Sequence, residues 1–472
     1  MAMDCICRLE RRSERVTMTG ETSTRANANP SKAFFITMLT RDIDLSDCVL
    51  DLLDNAVDGI TEAAKRDGID LPVDTPFVGR EVRLSLNKDR FSIIDHSGGI
   101  PIDIAEQYAF RFGRPDDAGS PKDGTIGFYG IGMKRAIFKM GNTIALRTST
   151  GAESFDLDLD VEDWKGDPQT KKTEDGSNIP DWSFELTNVV RTGTSVPQGT
   201  SITITELHPG VSRMFQNAVF IDDLLKTISR DYAFIISRGL EVYLNDKRVP
   251  AVMPLLRVGD ELSPYLHVEE KDGVLIELSV GLANPPPDDV SALGKRPDSE
   301  TYGWYIVCND RVVVTADKSA DTVWGHKPVP TWHPQFTGFM GIARFSSDDP
   351  WKLPWKTTKR DVEKSNEFYQ QALPLMIRAT KRVVDYTNTR RAEAKRLKKV
   401  EKKAVAMPVT RVIASAPAKM PTIVKDDIVV IEYVREGDAV RNVAEALGLI
   451  GLSPSEIGIK TFEYYYDREV SQ

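Results

Sequence analysis

Asp51-Leu52-Leu53-Asp54-Asn55-Ala56-Val57-Asp58 decides the fold. Around it Val49, Leu52, Leu53, Ala56, Val57 and Ile60 recur at the spacing of one helix face, so a helix is predicted from about Leu45 to Lys65. Asp51 and Asn55 lie four residues apart and share one side of that helix. Outward from it come three further segments in order: Asp95-His-Ser-Gly-Gly99, Gly127-Phe-Tyr-Gly130-Ile-Gly132, and Gly199-Thr200. Strand-like runs accompany them at Glu81–Leu86, Arg90–Asp95, Thr143–Thr148, Ser154–Val161, Ser183–Val190 and Ser201–Leu207, with a polar insertion from Lys165 to Ile179. The pattern is that of an α+β protein.

Each segment alone has a plain structural reading: a polar helix face, a tight turn after a strand, a Gly-rich turn, a Thr-bearing strand. Each also has a chemical one. An Asn carbonyl on a helix is a hard oxygen ligand suited to Mg²⁺ on a triphosphate. A carboxylate ending an apolar strand, as Asp95 does, can accept from an adenine amino group, and the glycines after it let backbone approach a base. Glycines 127, 130 and 132 ahead of a helix expose N–H groups to an anion, with Lys134 and Arg135 adding positive charge. The Lys-Ser/Thr ending of a P-loop is missing.

In this order and spacing the four segments resemble the ATP-binding domain of the GHKL superfamily (gyrase B, heat-shock chaperones, sensor histidine kinases, MutL and MORC proteins), from about residue 30 to 210 with a continuation to about 370. The resemblance implies a GHKL, or Bergerat, α/β sandwich that binds ATP and Mg²⁺. It implies that Asn55 holds the Mg²⁺, that Asp51 positions the attacking water, and that Asp95 reads adenine beside Gly99 with support from Thr200. Gly127, Gly130, Gly132 and Lys134 then face the phosphates. Two positions depart from the pattern. Ser97 stands where Gly is commoner. Asp51 stands where hydrolysing members carry Glu; a misplacement of roughly 1 Å costs about 10²-fold in rate, so slow hydrolysis is expected.

Further on, Leu353-Pro-Trp-Lys356-Thr-Thr-Lys359-Arg360 resembles the transducer loop of gyrase B, MutL and MORC proteins, which sends a Lys to the terminal phosphate. Lys359 is the first choice for that catalytic role and Lys356 the second. A second domain of this kind argues against a sensor kinase, as do five histidines (His96, His208, His267, His326, His333) scattered mostly near turns. The layout is closest to bacterial MORC/MutL-like stand-alone ATP-binding proteins. It reads as a flexible tail over 1–29, an ATP-binding domain over 30–238 closed by a helix near Ile221–Ser237, and a strand-rich transducer-like α/β domain over 239–364. A long basic helix over 365–403, a linker over 404–423 and a small α/β C-terminal adaptor over 424–472 follow. The last is expected as a strand Ile428–Val434 and helices Asp438–Leu447 and from Ser453.

The formal charge of −9 argues against nucleic-acid binding over the whole surface. From Arg378 to Lys403, however, eleven cations (378, 381, 382, 390, 391, 395, 396, 398, 399, 402, 403) meet only Asp385, Glu393 and Glu401. Two readings stay open for this run, a duplex-DNA contact and a solvated coiled-coil arm for a dimer or partner. Phe462, Tyr464, Tyr465 and Tyr466 read as a small core rather than a partner-binding face of the adaptor. Four cysteines without zinc-ligand spacing, no apolar run of membrane-spanning length and no apolar leader fit a cytoplasmic protein.

Three functions follow as alternatives. The first is an ATP-gated homodimeric clamp in a DNA-associated process such as repair, restriction or phage (antiviral) defence, with residues 1 to 45 exchanged as a strap. The others are a chaperone-like ATPase acting on a protein client and a nucleotide-sensing regulatory module with negligible hydrolysis.

Overall fold

The computed structural model describes residues 30–112, 131–166, 170–172, 178–287, 299–412, 418–421 and 431–470. The expected tail over 1–29, Gly127 and Gly130 lie outside them. The chain divides into two compact units, Met1–Pro421 and Thr422–Gln472.

In the first unit, Ser31 accepts from the Phe34 N–H and caps α1 (Lys32–Arg41). Lys139 Nζ donates to the Thr40 carbonyl at 2.7 Å and ties α1 to its own domain. Helix α2 (Leu45–Arg66) buries the whole apolar face expected of it, Val49 through Ile60, which makes it the inner wall of the domain. The strands are β1 (Glu81–Leu86), β2 (Phe91–Asp95), β3 (Gly141–Ser149), β4 (Ser154–Asp160), the short pair β5 (Thr170–Lys172) and β6 (Asn178–Pro180), β7 (Thr187–Val190), β8 (Gly199–Leu207), β9 (Glu241–Leu244) and β10 (Lys247–Arg248). All but β5 and β6 join one sheet in the order β10-β9-β1-β2-β8-β3-β4-β7. The expected polar insertion contains the β5–β6 pair, a small sheet of its own. Intervening helices are α3 (Ile102–Ile104), α4 (Gly132–Met140), α5 (Val161–Gly166), α6 (Pro209–Gln216), α7 (Ala218–Asp231) and α8 (Ala233–Ser237).

A second sheet, β12 (Tyr265–Lys271), β13 (Val274–Leu282), β16 (Phe339–Ser346), β14 (Gly303–Cys308) and β15 (Arg311–Asp317), follows in that spatial order. Helix α9 (Glu367–Thr389) lies on it, and the buried Trp304 indole donates to Thr380 Oγ1 at 3.2 Å.

The single long basic helix is replaced by two. Arg390–Glu393 form a 3₁₀ turn between α9 and α10 (Ala394–Lys403). Residues eleven apart along one straight helix stand about 16 Å apart, yet Arg390 Nε and Nη2 reach Glu401 at 2.6 and 2.7 Å, and Tyr386 Oη donates to it at 2.6 Å. A fully buried Glu401 needs that cation, and the chain folds back to supply it. This excludes a straight coiled-coil arm through this stretch. The expected linker also begins late: β17 (Val405–Pro408) pairs with β11 (Leu255–Val258), closing the unit.

In the second unit α11 (Gly437–Ala446) and α12 (Pro454–Glu469) are present, the latter opened by a Ser453/Glu456 capping box. Residues 431–434 of the expected strand carry no regular structure, and 428–430 lie outside the described residues. Phe462, Tyr464, Tyr465 and Tyr466 are exposed rather than core, and among the described residues of this unit only Ala444 and Ile457 are buried.

Candidate functional site

The first half of the site is built where β2 meets β8. Their antiparallel register sets Asp95 opposite Thr200, and the β3–β8 register sets Thr148 opposite Thr200 in turn. Asp95 is buried, and three bonds converge on its Oδ1: the Ser97 N–H at 3.0 Å, the Ser97 hydroxyl, and the Thr200 N–H at 3.3 Å. Oδ2 takes none of these three bonds. Burial raises the Asp95 carboxyl above its ordinary range, and these bonds only partly oppose it. Ser97, the departure from the commoner Gly, thus helps to fix the carboxylate. Thr200 Oγ1 lies 3.1 Å from Thr148 Oγ1, which accepts the Ile100 N–H at 2.8 Å. Gly99 has φ +66°, and a Cβ there would stand 1.9 Å from the Ser149 carbonyl oxygen, so only glycine makes this turn. Arg66 Nη2 donates to the Gly98 carbonyl at 3.0 Å and ties the turn to α2.

The second half lies on α2. Asn55 is half-buried, one turn after the buried Asp51. Arg135 Nε, from α4, donates to Asp51 Oδ2 at 2.7 Å. Lys359 Nζ lies 4.0 Å from Asp51 Oδ1 and 2.6 Å from Asp54 Oδ2. Asp54 Oδ1 also receives the Tyr232 hydroxyl and Arg311 Nε, the latter at 3.3 Å. Arg311 stacks over the Tyr232 ring, 4.4 Å from its centroid, and reaches Asp231 at 3.3 Å. Arg360 joins Asp47 and Asp231, at 2.6 Å each. The helix with the Asp-Asn pair is therefore clamped by β15 and by the 356–361 loop through a buried ionic cluster.

The cluster treats its two carboxylates differently. Burial alone raises Asp54, but Lys359 and Arg311 outweigh it and hold the carboxyl below its usual range. Burial also raises Asp51, and there Lys359 and Arg135 offset it only in part. A buried carboxyl raised in this way accepts a proton more readily than an ordinary Asp, which is the direction a general base needs. Gly132 opens α4 against this group; a Cβ there would lie 3.3 Å from the Asp51 carboxyl carbon. The chemistry of the donor set fits a magnesium nucleotide: a carboxylate oxygen for an amine, an amide oxygen, a helix N-terminus at Gly132, and a buried ammonium.

Asp51, Gly132 and Lys359 are thus brought together beside Asn55 on α2, while Asp95, Gly99 and Thr200 form the other half. Lys134 goes elsewhere: its ammonium is spent on the Ala109 and Arg111 carbonyls at 2.8 and 2.7 Å, and burial pulls its pKa down to about 8. Lys356 pairs with Asp361 instead of entering the site. Sequence reasoning missed Thr148, Tyr232, Asp231 and Arg311. Arg311 carried one signal, a lone cation inside Trp304-Tyr-Ile-Val-Cys-Asn-Asp-Arg311-Val-Val-Val, where burial demands a partner.

Residues 43–194 match the family model described as histidine kinase-, DNA gyrase B-, and HSP90-like ATPase. The match covers α2, both carboxylates of its Asp51–Asp54 face, Asn55, Asp95 and α4, and stops short of Thr200 and Lys359. No curated protein matches the chain.

Proposed function

We propose, from the GHKL-type ATPase domain that residues 43–194 form, that this chain binds ATP with Mg²⁺, hydrolyses it slowly, and senses the terminal phosphate through Lys359. One observation carries this reading: Lys359, 305 residues beyond Asp54 in the chain, delivers its ammonium onto the helix face that bears Asp51 and Asn55.

Adenine donates its amino group to Asp95 Oδ2, while Thr200 and Ser97 hold Oδ1. Asn55 would hold a Mg²⁺ through its side-chain carbonyl, and the ion would neutralise charge on the triphosphate. The Gly132 end of α4 faces the phosphates with its N–H groups. Asp51 accepts a hydrogen bond from the attacking water and takes its proton as the water oxygen bonds to the terminal phosphorus, while the bond from that phosphorus to the bridging oxygen breaks and ADP leaves. Lys359 exchanges Asp54 for the terminal phosphate, a compact cation moving between two anions. Asp54 keeps Arg311 and Tyr232, so the 356–361 loop moves while β15 stays anchored.

The ATP state then joins two copies into a clamp, by analogy with the superfamily. Duplex DNA is the client this reading favours, through the exposed Arg378, Arg382, Lys399, Lys402 and Lys403 of α9 and α10. Lys381 and Arg396 are already paired with Asp385 and Glu393. The process is repair, restriction or phage defence. A protein client is the second reading, favoured by the exposed aromatic residues of α12. Calorimetric titration with Mg-ATP and Mg-GTP, followed by ATP turnover with and without duplex DNA, tests both levels. ATP-selective binding with DNA-stimulated turnover supports the whole account. Turnover indifferent to DNA moves the client to protein, and equal binding of GTP removes the adenine assignment.

A further inference from the structure

The Asp51 carboxylate has a partner that its role as base does not by itself require. Arg135 sits three residues into α4, the helix that Gly132 opens, and its Nε bonds Asp51 Oδ2 at 2.7 Å. The same guanidinium extends Nη2 to the Thr357 carbonyl at 3.4 Å, inside the loop that carries Lys359. Both Arg135 and Asp51 are less than one-tenth exposed. One planar fork therefore touches the base and the phosphate-sensing loop at once.

We infer that Arg135 is a positioning residue: it fixes the Asp51 carboxylate so that Oδ1 alone is offered to the attacking water, and it registers the place of the 356–361 loop at that carboxylate. The inference rests on the ATPase reading above.

Asp lacks one methylene of Glu, so its oxygens reach less far from α2 and their direction matters more. A carboxylate free to rotate about its terminal bond presents either oxygen; one held through Oδ2 presents only Oδ1. In this structure Oδ1 is the oxygen toward Lys359, at 4.0 Å, where a terminal phosphate drawing Lys359 would also lie. Gly132 brings the start of α4 close to the carboxyl group without a side chain of its own, and the guanidinium of that helix is what bonds Oδ2. A guanidinium lowers carboxylate basicity, but burial opposes this and keeps Asp51 raised. The Thr357 contact gives the arrangement a second consequence. When the loop follows Lys359 toward the phosphate, the Nη2 bond to Thr357 is remade or lost, and the orientation of Asp51 changes with it.

The experiment measures ATP Kd, kcat and KM for the full chain and for Arg135→Gln, Arg135→Lys and Asp51→Asn, each checked for folding by its far-ultraviolet dichroism. Measurable turnover of the unsubstituted chain, lost in Asp51→Asn, establishes the reaction first, so failure of the ATPase reading is seen separately. Arg135→Gln is then expected to lower kcat about 10²-fold with ATP Kd within about threefold. Arg135→Lys, which keeps the cation but not the fork, should recover part of the loss. Should Arg135→Gln not fold, the folded Arg135→Lys is read alone by its kcat-against-Kd split. Unchanged kcat in the folded Arg135 variants, or parallel losses of ATP affinity and kcat, would each overturn the inference.

Discussion

Lys359 and Asp54 stand 305 residues apart in the chain and 2.6 Å apart in space. The pair closes a buried ionic cluster in which a loop beyond the second sheet grips the helix carrying Asp51 and Asn55. Such a pair adds little net stability in water-free surroundings, because desolvation offsets attraction. It matters as a contact that a phosphate can take over, since an ammonium released from a carboxylate needs another anion. On the proposed reading, nucleotide binding and the position of the 356–361 loop are thereby joined at one side chain.

Asp54 has three partners where Lys359 has one close one, and substitution should show the asymmetry. Asp54→Ala takes from the buried Lys359 its one close carboxylate and leaves Arg311 only Asp231, and is expected to destabilise the first unit by about 3–5 kcal/mol. Lys359→Ala leaves Asp54 with Arg311 and Tyr232 and should cost clearly less. Urea unfolding midpoints of both variants check the order; equal losses would mean that Arg311 does not hold Asp54.

Lys134 supplies a pH signature. Its folded pKa of about 8 lies below the ordinary 10.5, so the unfolded chain binds more protons between these values and stability rises with pH there. The rise amounts to something on the order of 3 kcal/mol. Comparing the unfolding free energy of the chain with that of Lys134→Met from pH 7.5 to about 10.5 isolates it. The difference should move in favour of the unsubstituted chain as pH rises; a flat difference would show that the ammonium is not desolvated.

Arg390 belongs to the fold and not to a DNA contact. Arg390→Ala leaves the buried Glu401 without its cation and should destabilise by about 3–5 kcal/mol. Charge reversal at Lys399, Lys402 and Lys403 should leave stability within about 0.5 kcal/mol while lowering the salt dependence of any DNA binding. Paired melting and salt-titration experiments separate the two classes of cation.

Asp95→Asn keeps the size of the side chain and replaces an oxygen acceptor by a donor or a weaker acceptor. Loss of a bond from adenine to a charged acceptor is worth about 1.5–3 kcal/mol, so ATP affinity should fall about 10- to 100-fold. Calorimetric titration reads this directly, and an unchanged Kd would remove Asp95 from the base pocket.

Local pattern made the ATP-binding half readable. The α2 face, the β2 strand ending at Asp95 and the cap at Ser31 follow from periodicity and turn chemistry over a few residues each. The glycine at 99 is equally local, a turn that no side chain fits. What sequence could not show is pairing across hundreds of residues: Arg311 onto Asp54, Arg360 onto Asp47 and Asp231, Arg135 onto Asp51. Composition misled at Arg378–Lys403, where eleven cations suggested one exposed helix. The single buried Glu401 reverses the chain there, and no periodicity announces it. Lys134 misled for a similar reason, since a Lys beside a glycine-rich segment reads as a phosphate ligand until its carbonyl partners are seen.

The central claim is that Asp51 and Lys359 act on the terminal phosphate of ATP. Steady-state phosphate release by the full chain with Mg-ATP, set against Asp51→Asn and Lys359→Ala, tests it most directly. The account expects slow turnover that both substitutions abolish, with ATP still bound by Asp51→Asn. Turnover equal in all three proteins, or none above the Asp51→Asn level, would contradict it.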